Sequence, residues 1–270
     1  MSHVLDEAIS VVPVADGVVR ATTHPAYANM VGPFGGVTAA TVVQAIASRP
    51  DVLGEPLAFT INYAAPIADG QWDLHLAIVR TNRTNQHWLF RIVQNAATVS
   101  TGTAVFGLHR PTWSSTEAQP PVVPPAADVE PVDFPEFIAW AANYDMRFVV
   151  GGLADGASED STSTMWIRDL PERPLDYPAL ASIADSFYPR IFLRHGTFTP
   201  AGTISLTTYF HATPDELAAH GTDHLLATAR AARFGNGHFD QDGTLWSMPD
   251  DGEPVLLATT HQLVYFKDPQ

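Results

Sequence analysis

Three polar side chains in the C-terminal part of the chain are of types that could together activate a water molecule. Asp185 lies in the segment ALASIADSF, which we predict to be helical. A carboxylate among apolar residues is unfavourable unless it is paired or exposed. A paired carboxylate here could orient a water molecule and accept its proton. The alternative is an ordinary acidic residue on the exposed face of a helix.

Thr203 and Gln262 lie in two predicted strands that follow Asp185. Thr203 begins the strand TISLTTYFH, in which threonine is a common residue. Gln262 lies in the strand TTHQLVYF, on the same face as Val264 and Phe266. If that face belongs to the core, the Gln262 amide needs hydrogen-bond partners, whereas on an edge strand it would simply be exposed. Each residue taken alone therefore has a structural explanation as well as a functional one.

Motifs for several other chemistries are missing from the sequence. Because there is no cysteine, disulfides, thiolate catalysis and cysteine-based metal sites are excluded. There is no G-x-S-x-G nucleophile motif and no P-loop. Gly235 and Gly237 in RFGNGHFD fit a hairpin turn better than a nucleotide-binding loop. His220 and His224 are separated by Gly221, which predicts a loop and not a zinc-binding helix face. We expect no metal and no cofactor.

The composition is that of a globular protein with a substantial core, since 46% of the residues are hydrophobic and 16% are charged. The net charge of -15 disfavours binding to nucleic acid or to an anionic membrane. No apolar run reaches the ~18 residues that a membrane-spanning helix needs. The N-terminus shows no secretory signal, and together with the lack of cysteine this predicts a cytoplasmic protein.

A proline-rich, acidic segment, residues 111–135, predicts a linker between two parts of the chain. We therefore divide the chain into an N-terminal part, residues 1–110, and a C-terminal part, residues 136–270. In the first part, residues 37–49 are apolar on nearly every side, which predicts a buried helix. Alternation of apolar residues predicts strands, with a pair around AISVVPV and GVVRAT before the helix and LAFTINY, WDLHLAIV, HWLFRIV and AATVSTGTAVFG after it.

The second part repeats the order of a helix followed by strands. The predicted helix is YPALASIADSFYPRIFL, and strands follow from GTISLTTYF to VLLATTHQLVYF. Residues 59–66 align without gaps with residues 206–213, and residues 99–106 align with residues 258–265. The repeat predicts two similar units, each a buried helix wrapped by an antiparallel sheet.

The three candidate residues lie in segments that resemble motifs of the TesB-like acyl-CoA thioesterases, the acyl-CoA thioesterase II family. In that family a helix carries L-S-D-F, a strand runs from A-T-I-D-H to W-F-H, and the last strand carries V-Q-E-G. The segment IADSF places Asp185 on the family's aspartate. Alignment on Phe210 and His211 places Thr203 on its active-site threonine, and TTHQLV places Gln262 on its glutamine.

The resemblance extends to the first part and covers most of the chain outside the linker. FGG before the first helix looks like the family's G-G-Q, and VRTNRTNQHWLFRIVQN looks like its L-R-D-G-x-S-F-S-x-R-R-V strand pair. Some positions depart from the pattern. Ser205 and Leu206 replace the family's D-H, Leu263 replaces its glutamate, and Asn82 to Asn85 replace its Asp-Gly turn.

The resemblance implies an α+β double hotdog fold, with two tandem units that each contain a long buried helix wrapped by an antiparallel β-sheet. It also implies hydrolysis of an acyl-CoA, as in fatty acid metabolism, by a water molecule held by Asp185, Thr203 and Gln262 without a covalent intermediate. Backbone N–H groups at the head of the first helix, at Gly35 and Gly36, are natural donors for an oxyanion.

Coenzyme A is a polyanion, so its recognition calls for cations from a set of only 14 Lys and Arg residues. Arg83 is our candidate among them. Two alternatives stay open: a hotdog hydratase or dehydratase, which would need a His–Asp pair near a buried helix, and a non-catalytic protein that binds acyl thioesters. Because a hotdog sheet leaves open edges, we also expect a homo-oligomer.

Overall fold

The computed structural model describes residues 2–153 and 156–267, and all of the strands among them belong to one antiparallel sheet. Six strands come from the first part of the chain: β1 (Val12–Ala15), β2 (Val18–Thr22), β3 (Glu55–Tyr63), β4 (Gln71–Thr81), β5 (Asn85–Gln94) and β6 (Ala97–Gly107). Seven come from the second part: β7 (Tyr144–Val150), β8 (Ser163–Asp169), β9 (Ala201–Phe210), β10 (Leu225–Arg230), β11 (Phe234–Gly235), β12 (His238–Ser247) and β13 (Val255–Phe266).

The order of strands in the sheet is the same on both sides of its centre. It runs β1-β2-β4-β5-β6-β3 and continues as β9-β13-β12-β10-β8-β7, with β11 added to β12. At the centre Thr60 pairs with Thr207, and their hydroxyl oxygens are 3.0 Å apart. The gapless alignment of residues 59–66 with residues 206–213 makes these two threonines equivalent. An approximate two-fold axis relating the two parts therefore passes between them.

The second proposed alignment is wrong by one residue. Phe59 pairs with Ala104, and its equivalent Leu206 pairs with Gln262. Ala104, and not Thr103, is therefore the counterpart of Gln262. Because strand side chains alternate between faces, a slip of one residue would have placed these two positions on opposite sides of the sheet.

The helices are α1 (Val4–Ala8), α2 (Gly35–Ala47), α3 (Tyr177–Ile183), α4 (Arg190–His195) and α5 (Pro214–His220), with 3-10 turns at Pro25–Tyr27, Ala126–Asp128 and Ala139–Asn143. The predicted buried helix is α2, which begins two residues earlier than expected and buries almost all of its side chains against the sheet and α3. No helix among the described residues is long and apolar enough to cross a membrane.

The long helix predicted in the second part is wrong, because the segment forms two short helices, α3 and α4. The chain leaves the helix after Ile183 and begins α4 only beyond Pro189. Proline has no N–H to donate and disfavours a helical conformation in the residue before it, so a single helix cannot pass through this point. Asp185 therefore lies in the turn after α3 and not inside a helix.

Several other segments differ from the prediction. The segment AISVVPV was expected to be a strand, but α1 includes Ala8 and only residues from Val12 pair with β2. The strands β7 and β8 and the helix α5 were not predicted. The proline-rich segment lies against the second part of the chain, where the Trp166 indole N–H donates to the Pro124 carbonyl oxygen at 3.0 Å.

Candidate active site

Asp185, Thr203 and Gln262 are joined by two hydrogen bonds. The Gln262 side-chain Nε2 donates to Asp185 Oδ1 at 3.0 Å, and Thr203 Oγ1 donates to Gln262 Oε1 at 3.1 Å. Both ends of the Gln262 amide are therefore engaged, which fixes its orientation. The structure therefore brings together three residues that are far apart in the sequence. Asp185 precedes Gln262 by 77 positions, and Thr203 precedes it by 59.

A β-bulge brings the Thr203 side chain to the face of the sheet that carries Gln262. Gln262 pairs with Leu206, whereas Val264 pairs with Thr203, so Ile204 is an extra residue in β9. In a regular strand Thr203 and Leu206 would face opposite sides, because their positions differ by three and side chains alternate from one residue to the next. The extra residue restores Thr203 to the side of Leu206, as bulges near active sites often do.

The carboxyl group of Asp185 lies at the N-terminal end of α2. The backbone N–H of Gly36, in the first turn of that helix, interacts with the carboxylate. Unpaired N–H groups and the helix dipole make such an end favourable for an anion. The site is therefore built from both parts of the chain, with the acid from the second part and the helix from the first.

The pKa of Asp185 is raised to about 7, chiefly because burial penalises the charged form. Hydrogen bonds from Gln262 and from the Gly36 backbone act in the opposite direction and are the smaller contributions. A carboxyl group with a pKa near neutrality can both take up and release a proton at physiological pH. This is the property expected of a general base.

Two glycines allow the head of α2 to approach Asp185. A Cβ atom at Gly35 would lie 2.5 Å from Asp185 Oδ2, and one at Gly36 would lie 2.4 Å from the Ser182 carbonyl oxygen. Both distances are too short for any other residue without movement of the neighbours. The hydroxyl of Tyr63 donates to the Gly35 carbonyl oxygen at 2.9 Å.

Asp185 and Thr203 open onto a cavity of about 470 Å³. Its wall comes from both parts of the chain and is mainly apolar and aromatic. Asp185 is the one charged side chain among the described lining residues. Phe34 and Trp140 stack with ring centroids 4.1 Å apart and close one side. The other aromatic residues of the wall are Tyr63, Phe134, Phe148, Phe187, Tyr188, Phe192 and Tyr265.

Arg83 lies far from this cavity, in the turn between β4 and β5. Next to that turn, the Gln86 side chain bonds to the Asp51 carbonyl oxygen and the Leu53 N–H, which follow the C-terminal end of α2. The cavity adjoins the opposite end of this 13-residue helix. Such a helix is about 20 Å long, so the structure does not bring Arg83 to the other candidate residues.

The glycine and histidine motifs noted in the sequence have structural explanations. The hairpin predicted at Gly235 and Gly237 is confirmed: Asn236 and Gly237 have positive φ angles of 54° and 75° between β11 and β12. His220 bonds to Ser247 Oγ, and His224 bonds to Asp145. The described residues contain no cluster of His, Asp and Glu that could hold a metal ion.

Tyr63 and the Phe34–Trp140 pair were not identified from the sequence. Tyr63 ends a strand whose alternating pattern is explained by core packing alone. Its partner at Gly35 is 28 residues earlier, and only the folded chain brings the two together. A signal could have come from the two consecutive glycines, since Gly at the start of a helix often marks a close approach.

Family models identify the class of protein. The acyl-CoA thioesterase N-terminal domain matches residues 24–107, and the acyl-CoA thioesterase C-terminal domain matches residues 117–266. The chain therefore belongs to the acyl-CoA thioesterase family. A comparison with curated protein sequences finds no match.

Similar solved structures show a hotdog fold. A conserved protein of unknown function with a hot dog fold from Alicyclobacillus acidocaldarius is 43% identical, with 100% of both chains covered and a TM-score of 0.94. A putative thioesterase II from Thermobifida fusca YX is 20% identical, with 98% of this chain and 97% of that chain covered and a TM-score of 0.83. The acyl-CoA thioesterase II TesB2 from Mycobacterium marinum is 17% identical, with 98% of both chains covered and a TM-score of 0.75.

Proposed function

We propose that the protein hydrolyses an acyl-CoA to the free acid and coenzyme A with a water molecule activated by Asp185. The observation that supports this most strongly is the chain of hydrogen bonds from Thr203 through Gln262 to Asp185 at the wall of the cavity. Membership of the acyl-CoA thioesterase family supplies the reaction class.

In this mechanism a water molecule bonds to the Asp185 carboxylate and is oriented by Thr203 and Gln262. The carboxylate accepts a proton as the water oxygen attacks the thioester carbonyl carbon. The tetrahedral intermediate then breaks its C–S bond, and the leaving thiolate takes up the proton. The N–H of Gly35, in the first turn of α2, is our candidate donor to the oxyanion, since the Gly36 N–H already interacts with Asp185.

We further propose that the chain is a double hotdog, with units at residues 1–110 and 136–270 joined by residues 111–135. The matching strand order of the two parts supports this division. By the register of the sheet, the counterparts of Thr203 and Gln262 in the first part are Pro56 and Ala104. Neither residue can hold water with its side chain, so we propose one catalytic site per chain.

Two properties of the whole protein complete the proposal. We propose a homo-oligomer, because the sheet ends in open edges at β1 and β7. A solution mass equal to the 29.2 kDa of one chain would contradict this. We also propose a cytoplasmic location, which fractionation of cells that produce the protein would test.

Release of free thiol from acyl-CoA substrates of increasing chain length tests the proposed reaction directly. We expect turnover by the wild-type protein, monitored with a thiol reagent. Stoichiometric binding of acyl-CoA without thiol release would instead support the non-catalytic alternative. Addition of water to an enoyl thioester without thiol release would support the hydratase alternative.

The apolar wall of the cavity predicts a strong preference for uncharged acyl groups. We expect an acyl-CoA with a terminal carboxylate to react at least about 100-fold less efficiently in kcat/KM than a neutral acyl-CoA of equal length. The reason is that a second carboxylate would be buried near Asp185 without a cation among the described lining residues. Equal kcat/KM values for the matched pair would contradict this prediction.

A further inference from the structure

The peptide group between Gly35 and Gly36 is contacted on both of its polar atoms by side chains from different parts of the chain. Its carbonyl oxygen accepts a hydrogen bond of 2.9 Å from the Tyr63 hydroxyl. Its N–H, which belongs to Gly36, interacts with the carboxylate of Asp185. Because a peptide group is planar and rigid, any rotation of this unit changes both interactions together.

Within α2 this peptide group is held through its carbonyl oxygen, which faces the helical N–H four residues further on, because its own N–H is one of the four at the helix start that have no partner within the helix. It joins two glycines, which have the widest conformational freedom of any residue. It also lies in the first turn of α2, where Phe34 provides no side-chain hydrogen bond to the helix N-terminus. The Tyr63 hydroxyl adds a contact from outside the helix to the same peptide group, and this contact limits any rotation that would turn the Gly36 N–H away from Asp185.

We propose that Tyr63 is a positioning residue, which holds the Gly35–Gly36 peptide group so that its N–H stabilises the ionised carboxylate of Asp185. This inference rests on the function proposed above. The space around the group is tight, since a Cβ atom at Gly35 would lie 2.5 Å from Asp185 Oδ2 and 3.0 Å from the Tyr63 hydroxyl oxygen. Burial raises the pKa of Tyr63 well above its ordinary value, so its hydroxyl stays protonated and remains a donor.

A Tyr63→Phe substitution tests the proposal, because it removes the hydroxyl and keeps the ring in the cavity wall. We expect the midpoint of the rise of kcat with pH to move upward by about 0.5 or more, because the ionised carboxylate loses part of its stabilisation. We also expect kcat at pH 7 to fall several-fold with little change in KM. A purely structural role would lower stability without moving the midpoint.

Tyr177→Phe is the matched control. The Tyr177 hydroxyl also donates to a backbone carbonyl oxygen, that of Ala212 at 2.8 Å, and it lies outside the described cavity wall. This variant also loses one hydrogen bond from a tyrosine hydroxyl to a backbone carbonyl, but that bond does not touch the Gly35–Gly36 peptide group, so we expect it to keep the wild-type midpoint. Equal midpoints for the wild type and Tyr63→Phe, or an equal shift in Tyr177→Phe, would overturn the proposal.

A measurement that needs no turnover separates this inference from the proposed function. The ionisation of Asp185 can be followed by carboxyl-carbon NMR as the pH is changed, with Asp185→Asn to assign the signal. A higher pKa of Asp185 in Tyr63→Phe than in the wild type supports the positioning role even if no thioester is hydrolysed. An unchanged pKa of Asp185 refutes the positioning role even if the protein proves to be a thioesterase.

Discussion

Asp185→Asn is expected to lower kcat for acyl-CoA hydrolysis by about 10²–10⁴-fold, the usual contribution of a general base. The amide has nearly the same shape, so its oxygen can still accept the hydrogen bond from Gln262. It cannot accept a proton from water at neutral pH. Initial rates of thiol release by the variant and the wild type, with folding checked by circular dichroism, measure the effect. A folded variant with full activity would defeat the assignment of Asp185 as the base.

Asp185→Asn is also expected to change how the stability of the protein depends on pH. The pKa of Asp185 is about 7 in the folded protein and about 4 in the unfolded chain. Between these values the folded state binds more protons, so this group makes the wild type less stable as pH rises from about 4 to 7. The variant lacks this effect. We therefore expect its Tm, relative to that of the wild type, to increase between pH 4 and pH 8. If thermal denaturation gives the same difference in Tm between the variant and the wild type at every pH, the pKa of Asp185 is not raised in the folded protein.

Gly35→Ala is expected to lower kcat/KM by about 100-fold or more, the size of effect that a misplacement of about 1 Å can have. The new methyl carbon would lie 2.5 Å from Asp185 Oδ2, so the carboxylate must move away from its place beside Gln262. The nearest atoms belong to side chains, Asp185 and Tyr63, and so the site can yield while the fold persists.

Gly235→Ala is the control for this substitution. A Cβ atom at Gly235 meets only Arg233 Nε, at 3.9 Å, and Gly235 is not among the described lining residues of the cavity. We expect this variant to match the wild type in kcat/KM. If Gly35→Ala hydrolyses acyl-CoA as fast as Gly235→Ala, the close approach of α2 to Asp185 is not needed for catalysis.

Local sequence patterns could predict most of the strands and the first helix. Apolar residues alternate along β3, β4 and β5, and the residues of α2 are apolar on nearly every side. Both patterns lie within short stretches of sequence, and the structure contains the strands and the helix that they predict. The prediction of one long second helix was wrong, because Pro189 interrupts the helix that the apolar residues around it would predict. The strand β7 is the last strand of the sheet, and β8 lies next to it. Buried and less buried side chains alternate only in the first half of β7, so its sequence carries a weaker strand pattern.

The candidate site was less accessible from sequence, because its contacts are tertiary. Family resemblance selected Asp185, Thr203 and Gln262, but no local pattern could indicate the β9 bulge that turns Thr203 towards Gln262. The approach of Gly36 to Asp185 depends on how α2 and α3 pack. Arg83 was selected by charge alone, and the direction of the β4–β5 hairpin carries it to the other end of α2.

The sheet's approximate two-fold symmetry has a consequence for the tolerance of this protein to mutation. A duplicated unit ordinarily leaves a spare copy of whatever chemistry the unit performed. Here Pro56 and Ala104 stand where Thr203 and Gln262 stand in the other copy, and α2 serves the acid of its neighbour. We therefore propose that the two units act as specialised partners, and we expect damage to either one to leave no backup within the same chain.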